Sequence, residues 1–396
     1  MTAEYYIWLQ LCLGFATETV SRVLASYGGA KSFHDAPDSE KIRKCCLNKR
    51  QIERLHSIPR KEVFKILNDC AKSGINIITP EDALYPQRLL NIPDLPAALY
   101  VKGELPSMED VPVISIVGPR KVSEYGERCA YVISNTLASC GFMIVSGGAV
   151  GGDTASHLGA LEAGANTVAV LGCGINADYL KVNALLRERI SKNGCLVSEY
   201  FPSMGVTRGA FQQRNRILSG LSDGVVVVEG SKKSGTLITA RCAVEQGRDV
   251  FVIPGSPSLP QYEGSNGLLT EGAKPLLNIN SIIEEYTFKY PSAIHSPKGI
   301  IPMPDTKPLI HKAPDVISQV DITASGKKRT EVDTSMLSDC ARAVVDASNH
   351  LKTTEFTVDD ILEICSFNTD DVLGAVTELE IFGVLKAVPG GRFSLV

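Results

Sequence analysis

Apolar residues fall at one-face helical spacing early in the chain: Val20, Val23, Leu24 and Tyr27 line one side of residues 19–27, which Gly28-Gly29 stops. From about Val111 the pattern changes. Runs rich in Val and Ile, without alternation, occupy residues 113–117, 142–145, 167–171, 196–198, 225–228 and 250–253, separated by helical stretches. Strands buried on both faces read this way, so the prediction is a parallel sheet covered by crossover helices, an open doubly wound α/β domain. Ligands of such sheets sit beyond the carboxyl ends of the strands, which makes the loops after each strand the place to look for function.

The same pattern divides the chain into a helical domain over 1–110, the α/β core over 111–288, a linker over 289–334 and a compact unit over 335–396. The linker is marked by Pro291, Pro297, Pro302, Pro304, Pro308 and Pro314 with little periodicity. In the N-terminal domain the turn Leu11 to Gly14, the following helix and Gly28 fit a sterile-alpha-motif or helix-hairpin-helix arrangement, whose turn amides can meet a phosphate. No Lys or Arg sits in that turn, which favours a helical bundle that only packs. At the other end, helices near 337–348, 358–365 (behind a Thr357 cap) and 370–382 precede two short strands joined at Pro389-Gly390-Gly391. Three helices and a terminal hairpin predict a winged helix. Residues 338–396 carry ten acids against four bases, with Asp370, Asp371, Glu378 and Glu380 on the helix that would enter a groove. A protein-contact role is therefore expected, with weak duplex binding through Lys386 and Arg392 as the lesser option.

Composition narrows the classes. With 44 acids against 40 bases the chain of 396 residues has net charge −4, so no overall attraction to a polyanion exists and any nucleic-acid site must be local. Eleven cysteines without a C-x-x-C pair argue against a disulfide scaffold or zinc ribbon and predict a reducing cytoplasm. The apolar stretch 5–16 is short, holds Gln10 and follows Glu4, so neither a signal peptide nor a membrane span is expected.

The loops after the strands carry the candidate chemistry. The first reads VGPRKVSEYG: Gly118 permits close backbone approach, Arg120 and Lys121 supply charge, and Ser123 is placed to cap the next helix. The second, SGGAVGGDT, is one residue from a phosphate-binding loop, but Asp153 stands where a lysine would reach a triphosphate. An NTPase is excluded; a glycine turn from Ser146 and Gly147 presenting amides remains. After the third strand, LGCGINA is a weak dinucleotide fingerprint, and Lys181 is its informative residue. Residues 200–222 contain no acid but hold Arg208, Arg214 and Arg216 with Tyr200, Phe201 and Phe211, a composition suited to unpaired nucleic acid. The fifth loop brings Lys232 and Lys233 to a helix start at Ser234-Gly235-Thr236. Residues 111–288 nevertheless sum to about zero charge, so the cations are sorted along one rim rather than abundant.

No Ser-His-Asp set, metal cluster or carboxylate pair stands out, and His157 reads as a helix histidine with a packing role. The stretches VGPRKVSEYG, SGGAVGGDTASHLGALEAGANTVAVLGCG, FQQRNR, LSDGVVVVEGSKKSGTLITARCAVEQGRDVFVIPG and GSNGLLTEGA together resemble the DprA (Smf) family of DNA-processing proteins, as does YPQRLLNIPDLPAALYVKG before them. The resemblance implies an extended Rossmann-like core that forms a homodimer, binds single-stranded DNA without a cofactor or catalysis, protects it, and loads a RecA-type recombinase during natural transformation. A single-strand DNA-binding protein is a further candidate partner. Carried over, Arg120, Lys181, Asn215 and Lys233 are expected to hold the strand, with Gly118, Ser123 and the Ser146-Gly147 turn shaping the pocket. The competing reading is a nucleotide-processing enzyme similar to phosphoribohydrolases, suggested by SGTLITA; those enzymes need a glutamate where Leu237, Ile238 and Thr239 follow Gly235-Thr236.

Overall fold

A computed structural model of the chain describes residues 2–179, 181–207, 209–295, 297, 299–304, 338–350, 355–365, 367, 369–381, 384–388 and 392–395. They belong to two compact units, Met1–Pro308 and Leu309–Val396. Most of the predicted linker lies outside the described residues.

The first unit opens with helices α1 (Thr2–Leu13), α2 (Thr19–Tyr27), α3 (Ala30–Asp35), α4 (Asp38–Cys45), α5 (Lys49–Ser57) and α6 (Arg60–Lys72). Helix α2 has the predicted bounds. Gly28 ends it in the left-handed region (φ 73°), its N–H bonding the Leu24 carbonyl at 2.8 Å, as a C-terminal glycine does. The region is not wholly helical, however. It contains β1 (Ile75–Ile78), α7 (Gln87–Leu90) and β2 (Leu99–Gly103), and the two short strands were invisible to periodicity because four or five residues fit a helix turn equally well.

The core then alternates β3 (Val113–Val117), α8 (Glu124–Ser139), β4 (Met143–Ser146), α9 (Gly152–Glu162), β5 (Thr167–Leu171), α10 (Ala184–Lys192), β6 (Gly194–Ser198), α11 (Ala210–Leu221), β7 (Gly224–Val227), α12 (Thr236–Glu245), β8 (Asp249–Val252), α13 (Glu263–Thr270), β9 (Lys274–Pro275) and α14 (Asn280–Thr287). Strand order among the described residues is β1-β2-β6-β5-β4-β3-β7-β8-β9. Every pairing from β6 to β9 is parallel, while β1 and β2 add an antiparallel edge on β6. The chain winds from β3 outward to β6, returns, and continues from β7 on the other side of β3. The reversal between β3 and β7 is the topological switch point, where open α/β sheets receive ligands.

Two apolar cores lie on the two sheet faces. Val113, Val117, Val225 and Val227 face α11 and α12, in an apolar cluster that runs on to Tyr6, Leu9, Val20 and Phe33 of the N-terminal helices. The alternate residues Ile114, Ile116, Val226 and Val228 face α8, α9 and α14. Each such side chain contributes about 1.5–3 kcal/mol by leaving water. The prolines after 289 also mislead in part. Tyr290 and Ile294 are buried in the second core, and Asp223 at the foot of β7 accepts hydrogen bonds from Tyr290 Oη (2.8 Å), Lys289 Nζ (2.7 Å), Arg88 Nη1 (2.7 Å) and the Val113 amide (2.9 Å).

The second unit holds α15 (Asp339–His350), β10 (Glu355–Phe356), α16 (Val358–Leu362), α17 (Thr369–Ile381), β11 (Leu385–Val388) and β12 (Arg392–Leu395), with strands ordered β10-β12-β11. Its core is its own, built from Val344, Phe356, Ile361, Val372 and Leu379 among others. Thr357 caps α16 as expected, in a reciprocal pairing with Asp360. Among the described residues no helix is long and apolar enough to cross a membrane.

Candidate nucleic-acid interface

The loops at the carboxyl ends of β3 and β4 are knitted together by backbone proximity. A Cβ on Gly152 would stand 2.8 Å from the Gly118 Cα, and one on Gly151 (φ 83°) would stand 2.5 Å from the Arg120 carbonyl. These glycines let the loops after β3 and β4 touch. Ser146 turns inward, donating to the Ile116 carbonyl at 2.7 Å. Gly147 is enclosed by Arg214 and Asp153, either of which a side chain there would strike.

Several residues read from sequence as strand contacts are committed to the fold. Arg214 is buried; its Nη1 donates to the Gly147 carbonyl at 2.8 Å and to the Val170 carbonyl, and its Nε to Asn215 Oδ1 at 3.2 Å. Burial raises the pKa of the neighbouring Asp153, and the Arg214 charge pulls it back. Arg216 is likewise buried between Glu199 (2.8 Å) and Asp94 (2.9 Å). Asn215 Nδ2 donates to the Gly235 carbonyl at 3.3 Å, and Ser234 and Thr236 pair through their hydroxyls at 2.8 Å. Tyr200 is buried, and Phe201 packs on Phe15 and Tyr100. Tyr200 and Phe201 therefore offer no platform on this rim. Arg208 lies outside the described residues.

The helix start at Ser123 is also filled. Ser123 caps α8, accepting from the Gly126 amide at 3.0 Å, while its own N–H and hydroxyl donate to Glu229 at 2.8 and 2.7 Å. Glu229 is fully buried. The anion attracted to this N-terminus at the switch point is a carboxylate of the chain itself, an internal partner that the sequence does not announce. It ties the loop after β3 to the loop after β7.

Exposed cations remain in front of this framework: Arg120, Lys121, Lys181, Lys232 and Lys233. Lys232 pairs with Glu263 at 2.5 Å and Lys181 with Asp178 at 3.4 Å, whereas Lys121 and Lys233 have no ion partner among the described residues. Arg120 makes the most specific arrangement. Its guanidinium lies over the Phe211 ring at 5.2 Å and donates to Tyr179 Oη at 2.8 Å. Tyr179 and Phe211 tilt against each other with centroids 5.2 Å apart, and Gly172 backs Phe211 so closely that a Cβ there would lie 2.6 Å from the ring. Two loops and the first turn of α11 thus build one cation and aromatic cluster, to which Arg187 adds a bond from Nη1 to the Tyr179 carbonyl at 2.6 Å. Tyr179 and Arg187 were not among the residues singled out from sequence; Tyr179 stands two places before Lys181, a spacing that offered the hint.

His157, fully buried on α9, shares a hydrogen bond through Nδ1 with Thr167 Oγ1 at 2.9 Å. Thr167 already donates to the Ile144 carbonyl, so His157 Nδ1 carries the proton and Nε2 is a buried acceptor without a partner. No group of three metal-type side chains occurs among the described residues.

Residues 76–287 match the family model of DNA recombination-mediator protein A. Protein Smf of Escherichia coli (strain K12) is 32% identical over 390 residues, 98% of this chain and 95% of the relative. The chain belongs to the DNA recombination-mediator protein A family. DNA processing protein DprA of Bacillus subtilis (strain 168) is 37% identical over 238 residues, 60% of this chain and 78% of its own. Among solved structures, DNA processing protein A from Streptococcus pneumoniae superposes with a TM-score of 0.63 at 31% identity, covering 72% of this chain and 99% of that one. The Helicobacter pylori protein, described for its single-stranded DNA binding mode, gives a TM-score of 0.50 at 30% identity over 55% of this chain and 99% of its own. The mostly parallel α/β sheet is the architecture of this family.

Proposed function

We propose that the chain binds single-stranded DNA along the carboxyl edge of its sheet and acts without catalysis as a recombination mediator. Arg120, Lys121, Lys181 and Lys233 neutralise phosphates, and the Arg120, Tyr179 and Phe211 cluster offers flat faces to unstacked bases. Buried Arg214, Asn215 and Glu229 hold the loops in register rather than touching the strand. The observation that carries this reading is the Arg120 guanidinium seated on Phe211 at a rim that also presents the exposed lysines Lys121, Lys181, Lys232 and Lys233. Membership of the family and the Helicobacter pylori relative's binding mode support it. On this reading the chain works in the cytoplasm as a homodimer, protects incoming DNA and hands it to a RecA-type recombinase, with the second unit, a winged helix, as a protein contact.

Fluorescence anisotropy with labelled oligo-dT tests the assignment. Arg120→Ala removes one phosphate contact and one stacking surface, so affinity should fall by about 1–3 kcal/mol and the salt slope by about 0.7. Lys233→Ala should flatten the slope similarly with a smaller loss of affinity. Unchanged affinity and slope in both variants would remove the site.

A further inference from the structure

Charge along the chain is uneven in a place the strand-end loops do not reach. Residues 41–65 hold nine Lys and Arg against two acids, although the whole chain is net negative. They span α4, α5 and the start of α6, and Arg43, Lys49, Arg50, Arg60, Lys61 and Lys65 are exposed. On α5, Arg50 and Arg54 stand four residues apart and so share a face. Both line a cleft of about 470 Å³ whose other wall includes Phe15, Phe201 and Met204.

The cleft combines uncommitted cations with an apolar aromatic wall. Among the described residues no Asp or Glu lines it, and neither guanidinium has a protein partner. The remaining polar side chains are spoken for. Gln10 donates to the Ala98 and Glu199 carbonyls, and Asn48 and Gln51 close the capping box of α5. The nearby buried charge of Glu199 is matched by Arg216. The complement of such a cavity is a phosphate joined to a flat, weakly polar ring, and its volume is within the range of ligand sites, about 300–1,000 Å³. It also shares a wall with the rim already described. The Pro202 and Met204 carbonyls accept from the Asn176 and Gly174 amides, both at 2.8 Å, in the loop that carries Tyr179 and Lys181.

We propose that this cleft is a second contact for the same single strand, with phosphates against Arg50 and Arg54 and a base against Phe201. The proposal rests on the single-strand reading above, and it supplies from α5 the charge that the Leu11 to Gly14 turn lacks. The double variant R50A/R54A breaks no hydrogen bond or ion pair among the described residues, and circular dichroism checks that the fold is kept. With labelled oligo-dT of about 30 nucleotides, its affinity should fall about 5- to 10-fold and its salt slope by about 1.4, two phosphate contacts at about 0.7 each. R50K/R54K should restore the slope. Unchanged affinity and slope in R50A/R54A would overturn the proposal, as would competition by dTMP for the cleft with oligonucleotide binding untouched. Arg120→Ala, measured alongside, separates the two sites. A loss there with R50A/R54A silent removes only the cleft, and the reverse removes the rim and leaves the cleft.

Discussion

Single residues divide here by whether their charge reaches water. Arg120 and Arg214 lie in similar glycine- and aromatic-rich surroundings in the sequence, yet one is exposed over Phe211 and the other is buried against two carbonyls. Nothing local distinguishes them, because burial is decided by α11 packing under the sheet edge. His157 shows the cost of such burial. Desolvation, aided by the Arg214 charge, lowers its pKa to about 3, against about 6.5 when unfolded. The folded chain therefore keeps His157 neutral while the unfolded chain takes up a proton below about pH 6.5, so stability falls as pH falls from there towards about 3. Urea denaturation between about pH 6 and 4 should show this group contributing about 1.4 kcal/mol per pH unit, a slope that His157→Gln abolishes. An identical slope in the variant would mean that His157 is not the group responsible. The functional candidates Arg120, Lys121, Lys181 and Lys233 were legible because each follows a strand; Glu229 was not, since a carboxylate beside a phosphate-like helix start reads as a contradiction until Ser123 is seen to hold it.

Among elements, β3 through β8 could be read from the sequence because both faces of each are covered, which leaves unbroken Val and Ile runs. Strands β1 and β2 could not, being short, antiparallel and set within helical text. What periodicity does not convey is how tightly loops meet. Gly118 and Gly152 bring β3 and the start of α9 within backbone contact, and no side chain can yield there to make room. Gly152→Ala should therefore push the loop after β3 away, costing about 1–3 kcal/mol as an overpacked site does. The same displacement moves Arg120 off Phe211, so oligo-dT affinity should weaken together with the denaturation midpoint. Ala at Gly374 on α17, away from the proposed contacts, has open space around it and provides the control. Weakened stability with undiminished binding would show that the glycine contact does not position Arg120.

At the scale of the whole molecule, charge is segregated rather than in excess. The basic helices of residues 41–65 and the lysines of the strand-end rim belong to the first unit, while residues 338–396 are strongly acidic. In the second unit Glu378 is used internally, accepting from the Ser338 amide and hydroxyl at 2.7 and 2.6 Å, so part of that acidity secures α15. The acidic surface still leaves this unit a poor host for phosphates. Since each unit buries its own apolar cluster, a chain ending at Pro308 loses no side chain from either sheet core. Such a chain should unfold cooperatively and bind oligo-dT within about 3-fold of the full chain, with an unchanged salt slope, because the slope counts phosphate contacts and all of those proposed lie before residue 309. A slope reduced by 1 or more, at about 0.7 per contact, would instead place contacts in the second unit, and Lys386 or Arg392 would then have to supply them.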